Sequence, residues 1–223
     1  RASYFDIELL PQETIDIFIK QKSVSSMEVQ WHITNIDDFS NYFSVQNMIY
    51  FGILGMLIVT TIASFMLFFL LKSRYYLIYS FFAIASIVYQ FSLAGYFYQF
   101  ELPLYFNMIS LYAVSEFAVV LLGLFPLSFF ALKKEEYRIL VTLIKTLITL
   151  KVITILGYLF YPLNYELLYN IKYSSITSSL LMIILLILSF RTFIDRKIGA
   201  GFYFLANIFL TSASVYFVLG LQG

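Results

Sequence analysis

The chain of 223 residues is 61% hydrophobic and only 12% charged, which excludes an ordinary water-soluble domain with about a quarter charged residues. Its net charge of +1 gives no reason to expect a nucleic-acid partner, and the absence of cysteine excludes disulfides and thiolate metal sites. The mean hydropathy of +0.86 predicts a protein embedded in lipid.

Residues 1–45 are predicted to be the last strands of a β-sandwich outside the membrane. Apolar and polar side chains alternate along Tyr4–Leu10, Thr14–Lys20 and Met27–Thr34, a pattern typical of half-buried β-strands. Three strands cannot bury one apolar face alone, so we expect this chain to be an excerpt whose sandwich begins before residue 1. We interpret His32, the one histidine, as a surface or packing residue.

The segment 46–223 is predicted to be an all-α polytopic membrane bundle. Each of six stretches offers the ~20 apolar residues that a helix needs to cross hydrocarbon, where its backbone must satisfy its own hydrogen bonds. These spans are Met48–Leu71, Tyr75–Phe97, Phe106–Leu132, Ile139–Tyr161, Tyr173–Phe190 and Ile198–Leu221.

The basic residues between the spans predict the orientation. The links Lys72–Arg74, Lys133–Arg138 and Arg191–Lys197 carry eight Lys and Arg residues, whereas the alternate links carry only Lys172. Because short cytoplasmic links carry the excess of Lys and Arg, the first group is predicted to face the cytoplasm, with residues 1–45 outside. An even number of spans leaves both ends outside, so we expect a seventh span and a cytoplasmic module to follow. A stop codon directly after Gly223 would contradict this.

A sequence of short motifs resembles a known family. The first span contains Tyr50-Phe51-Gly52-Ile53-Leu54, a basic turn leads to Tyr75-Tyr76-Leu77-Ile78-Tyr79, and the second span ends in Gln90-Phe91-Ser92-Leu93-Ala94-Gly95. This order resembles the bacterial seven-transmembrane receptors with diverse intracellular signalling modules.

The resemblance implies a receptor of the bacterial inner membrane with a periplasmic sensor that binds a small ligand, such as a carbohydrate. It also implies a cytoplasmic output in the same polypeptide, a histidine kinase or a diguanylate cyclase, as in two-component signalling. A homodimer is one assembly to test. No ligand-binding residue is carried over from the family.

Two ionisable residues are predicted to lie deep in the membrane at similar depth. Glu116 in the third span and Lys151 in the fourth each lie ~15 Å from the outer boundary, at 1.5 Å per residue. We expect an interhelical ion pair, since charges within a span are costly and face partners. A Lys151 that contacts lipid or water, and a ligand or proton site, are the alternatives. Lys145, nearer the cytoplasmic end, is expected to extend to the headgroups.

Three other features of the spans have packing as their simplest explanation. Pro126 removes a backbone hydrogen bond and is predicted to kink the third span, as a fixed bend or as a hinge. Small residues crowd the fifth span between Ser174 and Ser179, and Gly199-Ala200-Gly201 opens the sixth. Small residues allow helices to approach closely in lipid, and a polar ligand pocket is the alternative.

No enzyme motif can be assembled from this chain. It has no glycine-rich phosphate loop, no HExxH and no Ser/His/Asp set, so we predict no catalytic residue, no metal site and no cofactor within it. The leading hypothesis is a receptor core that couples ligand sensing to a cytoplasmic output. A transporter or channel would show broken helices at repeated positions, and a membrane enzyme would show clustered His or acidic residues at one interface.

Overall fold

The computed structural model describes residues 36–94, 96–99, 104–132, 135–160 and 166–220, and they form a bundle of α-helices. The elements are α1 (Ile36–Leu71), α2 (Arg74–Leu93), α3 (Tyr96–Gln99), α4 (Leu104–Phe129), α5 (Arg138–Phe160), α6 (Glu166–Ile194) and α7 (Ala200–Gly220). No strand occurs in these ranges. The three strands predicted before residue 35 lie outside the described residues.

Five helices are long and apolar enough to cross a membrane. They are α1, α2, α4, α5 and α6, and each matches one of the predicted spans. The sixth predicted span, Ile198–Leu221, coincides with α7, whose apolar stretch over the described side chains runs only from Ala200 to Ser212. A sixth crossing therefore stays a prediction.

The helix α1 begins before the predicted first span. That span was placed at Met48–Leu71, whereas α1 begins at Ile36 and includes Asp37 and Asp38. The polar residues before Met48 gave no sign of a membrane span. A helix can nevertheless continue from lipid into water, because its backbone hydrogen bonds are made within the helix. At 1.5 Å per residue α1 is ~54 Å long, well beyond the ~30 Å of hydrocarbon.

The other helix ends also differ from the predicted spans. The fifth span was predicted as Tyr173–Phe190, whereas α6 extends from Glu166 to Ile194. The third was predicted to reach Leu132, but α4 ends at Phe129 and Ala131 has a φ of 46°. The second was predicted to reach Phe97, but α2 ends at Leu93, where the Ala94 amide caps it by donating to Gln90.

The helices pack in chain order, so each contacts mainly its neighbours in the sequence. Among the described helices α1 packs mainly against α2, α2 packs against α4, and α4 packs against α5. The tightest core lies between α5 and α6, where Ile144, Leu181, Leu185 and Leu188 are fully buried. At Gly123 an added Cβ would lie 3.1 Å from Cδ1 of Ile148, so glycine allows α4 to approach α5.

Aromatic rings join α2, α4 and α7 at the end of the bundle that carries the basic links. Tyr75 packs edge-on against Phe129 with ring centroids 5.2 Å apart, and Tyr203 of α7 packs against Phe130 at 5.3 Å. Gly199, with a φ of 77°, makes the turn into α7, and an added Cβ there would lie 3.0 Å from the Phe129 ring. The turn between α6 and α7 therefore needs glycine at this position.

Candidate functional site

An ion pair is buried inside the bundle between α4 and α5. Nζ of Lys151 lies 2.7 Å from Oε2 of Glu116, and their side chains are 0% and 7% exposed. The two residues lie at similar depths because α4 and α5 are consecutive helices of similar length that run in opposite directions, and each residue lies near the middle of its helix. A charge in an apolar interior is tolerated when a partner of opposite sign and hydrogen bonds compensate its lost hydration.

Two serines of α6 complete the environment of the Lys151 ammonium. Nζ donates to the Ser178 hydroxyl at 2.6 Å, to the Ser174 carbonyl oxygen at 2.6 Å and to the Ser174 hydroxyl at 3.1 Å. With the Glu116 carboxylate, an ammonium with three protons faces four acceptors from two neighbouring helices. Lys151 therefore ties α4, α5 and α6 together at one point.

Two tyrosines lie on the same side of the bundle as the ion pair. Tyr158 is 4% exposed, its side chain contacts Ser174, and its ring stacks on Tyr112 with centroids 5.9 Å apart. Residues 112 and 116, and likewise 174 and 178, are one helical turn apart and so share a face of their helix. The polar cluster, defined here as Tyr112, Glu116, Lys151, Tyr158, Ser174 and Ser178, thus spans three helices.

The arrangement of the polar cluster suits a structural lock better than a reaction centre. The ammonium and the carboxylate compensate each other, and the donors of Lys151 are all directed to neighbouring side chains and backbone. Within the ranges that the structure describes, no group of three or more His, Asp or Glu could hold a metal ion. What the cluster can do is favour one relative placement of α4, α5 and α6.

The structure places the residues singled out in the sequence in different surroundings. Glu116 and Lys151 lie in contact, as the matched depths suggested, while Pro126 lies in α4 away from them and is fully buried. The Phe130 amide bonds back to the Pro126 carbonyl oxygen at 3.0 Å, and a kink at Pro126 stays a prediction.

Sequence reasoning missed Ser174 and Ser178 as partners of Lys151. Their spacing of four residues on one helical face was the available signal. The predicted span, however, began at Tyr173, which placed Ser174 at the membrane boundary. Because α6 begins at Glu166, Ser174 lies ~12 Å along the helix, near the depth of Lys151.

Comparison with known proteins bears on the role of this bundle. The family described as 7TM diverse intracellular signalling matches residues 46–223, the greater part of the chain. No match was found among curated proteins or among solved structures. The chain belongs to the 7TM diverse intracellular signalling family. It is a multi-pass membrane protein of the receptor type, and the recognition from the motifs of the first two spans is confirmed.

In this 7TM family member a second polar contact joins two links at the basic end. The Tyr137 hydroxyl, just before α5, donates to Oδ2 of Asp195, just after α6. The same carboxylate oxygen lies 3.4 Å from Nε of Arg191 in the last turn of α6. Burial, then the hydrogen bond to Asp195, raises the pKa of Tyr137 to about 12, so its hydroxyl keeps its proton at neutral pH.

Proposed function

We propose that this chain is the membrane core of a receptor that couples a ligand outside the cell to a cytoplasmic output. In this proposal the segment before α1 ends a periplasmic β-sandwich sensor, and residues 46–223 supply six of seven spans in the inner membrane. The output is a histidine kinase or a diguanylate cyclase in the same polypeptide, and the ligand is a small molecule such as a carbohydrate. Family membership and the excess of Lys and Arg in every second link, which places these links on one side, support this role.

The observation that carries the mechanism is the burial of Lys151 between three helices. A receptor must change between at least two arrangements of its helices, and a ligand shifts the balance between them. A buried ion pair favours the arrangement in which both charges are compensated, since separating them in lipid is costly. The polar cluster is proposed to hold α4, α5 and α6 in one signalling state.

The element best suited to move is α7. Apart from the aromatic contacts of Tyr203 with α4, it packs on α6. The side-chain oxygens of Asn207 and Thr211 are buried, and neither has a hydrogen-bond partner in the part of the chain that the structure describes. An unsatisfied buried polar group costs about 1–3 kcal/mol, which another placement of α7 could recover. We therefore propose that α7 shifts against α4 and α6 when the receptor switches.

Spin-label distances test this mechanism, and the absence of cysteine allows labels at chosen positions. Arg138→Cys at the start of α5 and Ile198→Cys before α7 are both exposed, and pulsed electron resonance measures their separation in nanodiscs. Glu116→Gln should raise the population of a second distance roughly tenfold or more, because removing one partner of a buried pair leaves the other uncompensated.

The matched control is Thr149→Val, an exposed residue of α5 whose hydroxyl donates to the Lys145 carbonyl oxygen of its own helix. This variant should keep the parental distances. Identical distributions in the parent and in Glu116→Gln, with both folded, would contradict the switch. Uptake of a solute by proteoliposomes that contain the chain would instead favour the transporter or channel.

A further inference from the structure

The turn between α1 and α2 brings two cationic side chains to the mouth of an apolar groove. Only Lys72 and Ser73 separate the two helices, and Lys72 adopts a φ of 49° so that the chain can reverse within two residues. Arg74 is the first residue of α2. The short turn therefore holds both cations next to the ends of the two helices.

The groove itself has a volume of about 640 Å³ and walls from both helices. Phe68 and Phe69 of α1 and Leu77 and Ile78 of α2 form its apolar part. Phe69 is 71% exposed, so this wall faces the surroundings of the bundle rather than its core. An apolar wall that faces outward in a membrane-spanning pair of helices is covered by hydrocarbon chains.

The two cations at the mouth of the groove have no counterion among the described residues. Lys72 and Arg74 are exposed, and neither forms an ion pair with an acidic residue in the part of the chain that the structure describes. By contrast, Arg191 at the same end of the bundle lies near Asp195. Two unpaired cations at the boundary between water and hydrocarbon attract an anion whose remainder is apolar.

We propose that this groove binds an anionic phospholipid. The phosphate would lie between Lys72 and Arg74, and an acyl chain would cover the wall formed by Phe68, Phe69, Leu77 and Ile78. A free phosphate ion satisfies the cations but leaves the wall uncovered, whereas a zwitterionic lipid covers the wall but brings its own cation to Lys72 and Arg74. The site would fix the end of α1, which among the described helices packs mainly against α2.

Native mass spectrometry of the detergent-solubilised chain tests the proposal with two lipids of identical dioleoyl chains, phosphatidylglycerol and phosphatidylcholine. The parent should retain phosphatidylglycerol in preference to phosphatidylcholine. Lys72→Gln/Arg74→Gln should weaken phosphatidylglycerol binding roughly tenfold to thirtyfold while phosphatidylcholine binding stays unchanged, since only the charge contacts are lost. Circular dichroism establishes that the variant keeps its helices.

The matched control is Arg138→Gln/Lys145→Gln, which removes two exposed cations from α5, outside the groove. This variant should bind phosphatidylglycerol as the parent does. Equal losses in both double variants, or no preference between the two lipids, would overturn the proposal. Displacement of the bound lipid by inorganic phosphate at millimolar concentration would also overturn it, because the site would then bind a free anion.

Discussion

At the scale of single residues, the buried pair Lys151 and Glu116 combines a large cost of desolvation with the contacts that offset it. A charged side chain at mid-membrane costs a few kcal/mol on insertion scales, and here the ammonium is 0% exposed. Its ion pair and its bonds to Ser174 and Ser178 offset that cost. The intact pair therefore contributes little to the net stability of the fold, whereas removing one of its two residues lowers the stability strongly.

A double-mutant cycle measures this asymmetry. Glu116→Gln and Lys151→Met should each lower the free energy of unfolding by about 3–5 kcal/mol, since each leaves one buried group without its partner. The double variant should lose much less than the sum, because no uncompensated charge remains. Unfolding in detergent micelles provides the measurement, and additive losses would show that the two residues are not coupled.

The ion pair could be anticipated from the sequence, but its full set of partners could not. Depth along a helix follows from counting residues, so Glu116 and Lys151 were matched without coordinates. The contacts of Ser174 and Ser178 depend on where α6 begins and on how it is rotated toward α5. Both are set by packing in three dimensions. In the sequence, the two serines are equally consistent with a close contact between helices, where small residues are common.

At the scale of elements, the existence of the helices followed from the apolar stretches, but their ends did not. Each of the six apolar segments coincides with a helix of the structure, and five of these helices are long and apolar enough to cross lipid, which imposes a minimum length on each span. Hydropathy does not indicate where a helix extends beyond the membrane into water. For this reason the starts of α1 at Ile36 and of α6 at Glu166 were missed. The predicted strands lie outside the described residues and stay a prediction.

Two links at the basic end contact each other directly. The hydrogen bond between Tyr137 and Asp195 joins the segment before α5 to the segment after α6. Tyr137→Phe keeps the buried ring and removes only the donor to a carboxylate. We expect it to lower the free energy of unfolding by about 1.5–3 kcal/mol, the range for hydrogen bonds to charged groups. Chemical unfolding in detergent measures the change.

Tyr42→Phe is the matched control, because Tyr42 is 67% exposed on the first part of α1. It should leave the unfolding free energy unchanged within error. If Tyr137→Phe were equally neutral, the contact between the two links would be of no energetic consequence, and the basic end would be held by its aromatic rings alone.

At the scale of the whole molecule, family membership and the helical bundle formed by the described residues agree on a membrane-spanning signalling receptor. The ion pair of the polar cluster lies near the middle of α4 and α5, and the groove of Lys72 and Arg74 lies at the basic end. A signal that reaches the polar cluster would have to be carried along α4, α5 and α6 to the basic end. Transmission to a cytoplasmic output along this route requires that the basic end of the bundle face the cytoplasm.

Single-cysteine labelling tests that orientation most directly. Asn41→Cys, on the exposed first part of α1, and Glu136→Cys, in the link before α5, lie at opposite ends of the predicted topology. With a membrane-impermeant maleimide added to spheroplasts, residue 41 should react at once and residue 136 only after the membrane is permeabilised. Immediate reaction of residue 136 in intact spheroplasts, with residue 41 protected, would contradict a receptor that signals inward.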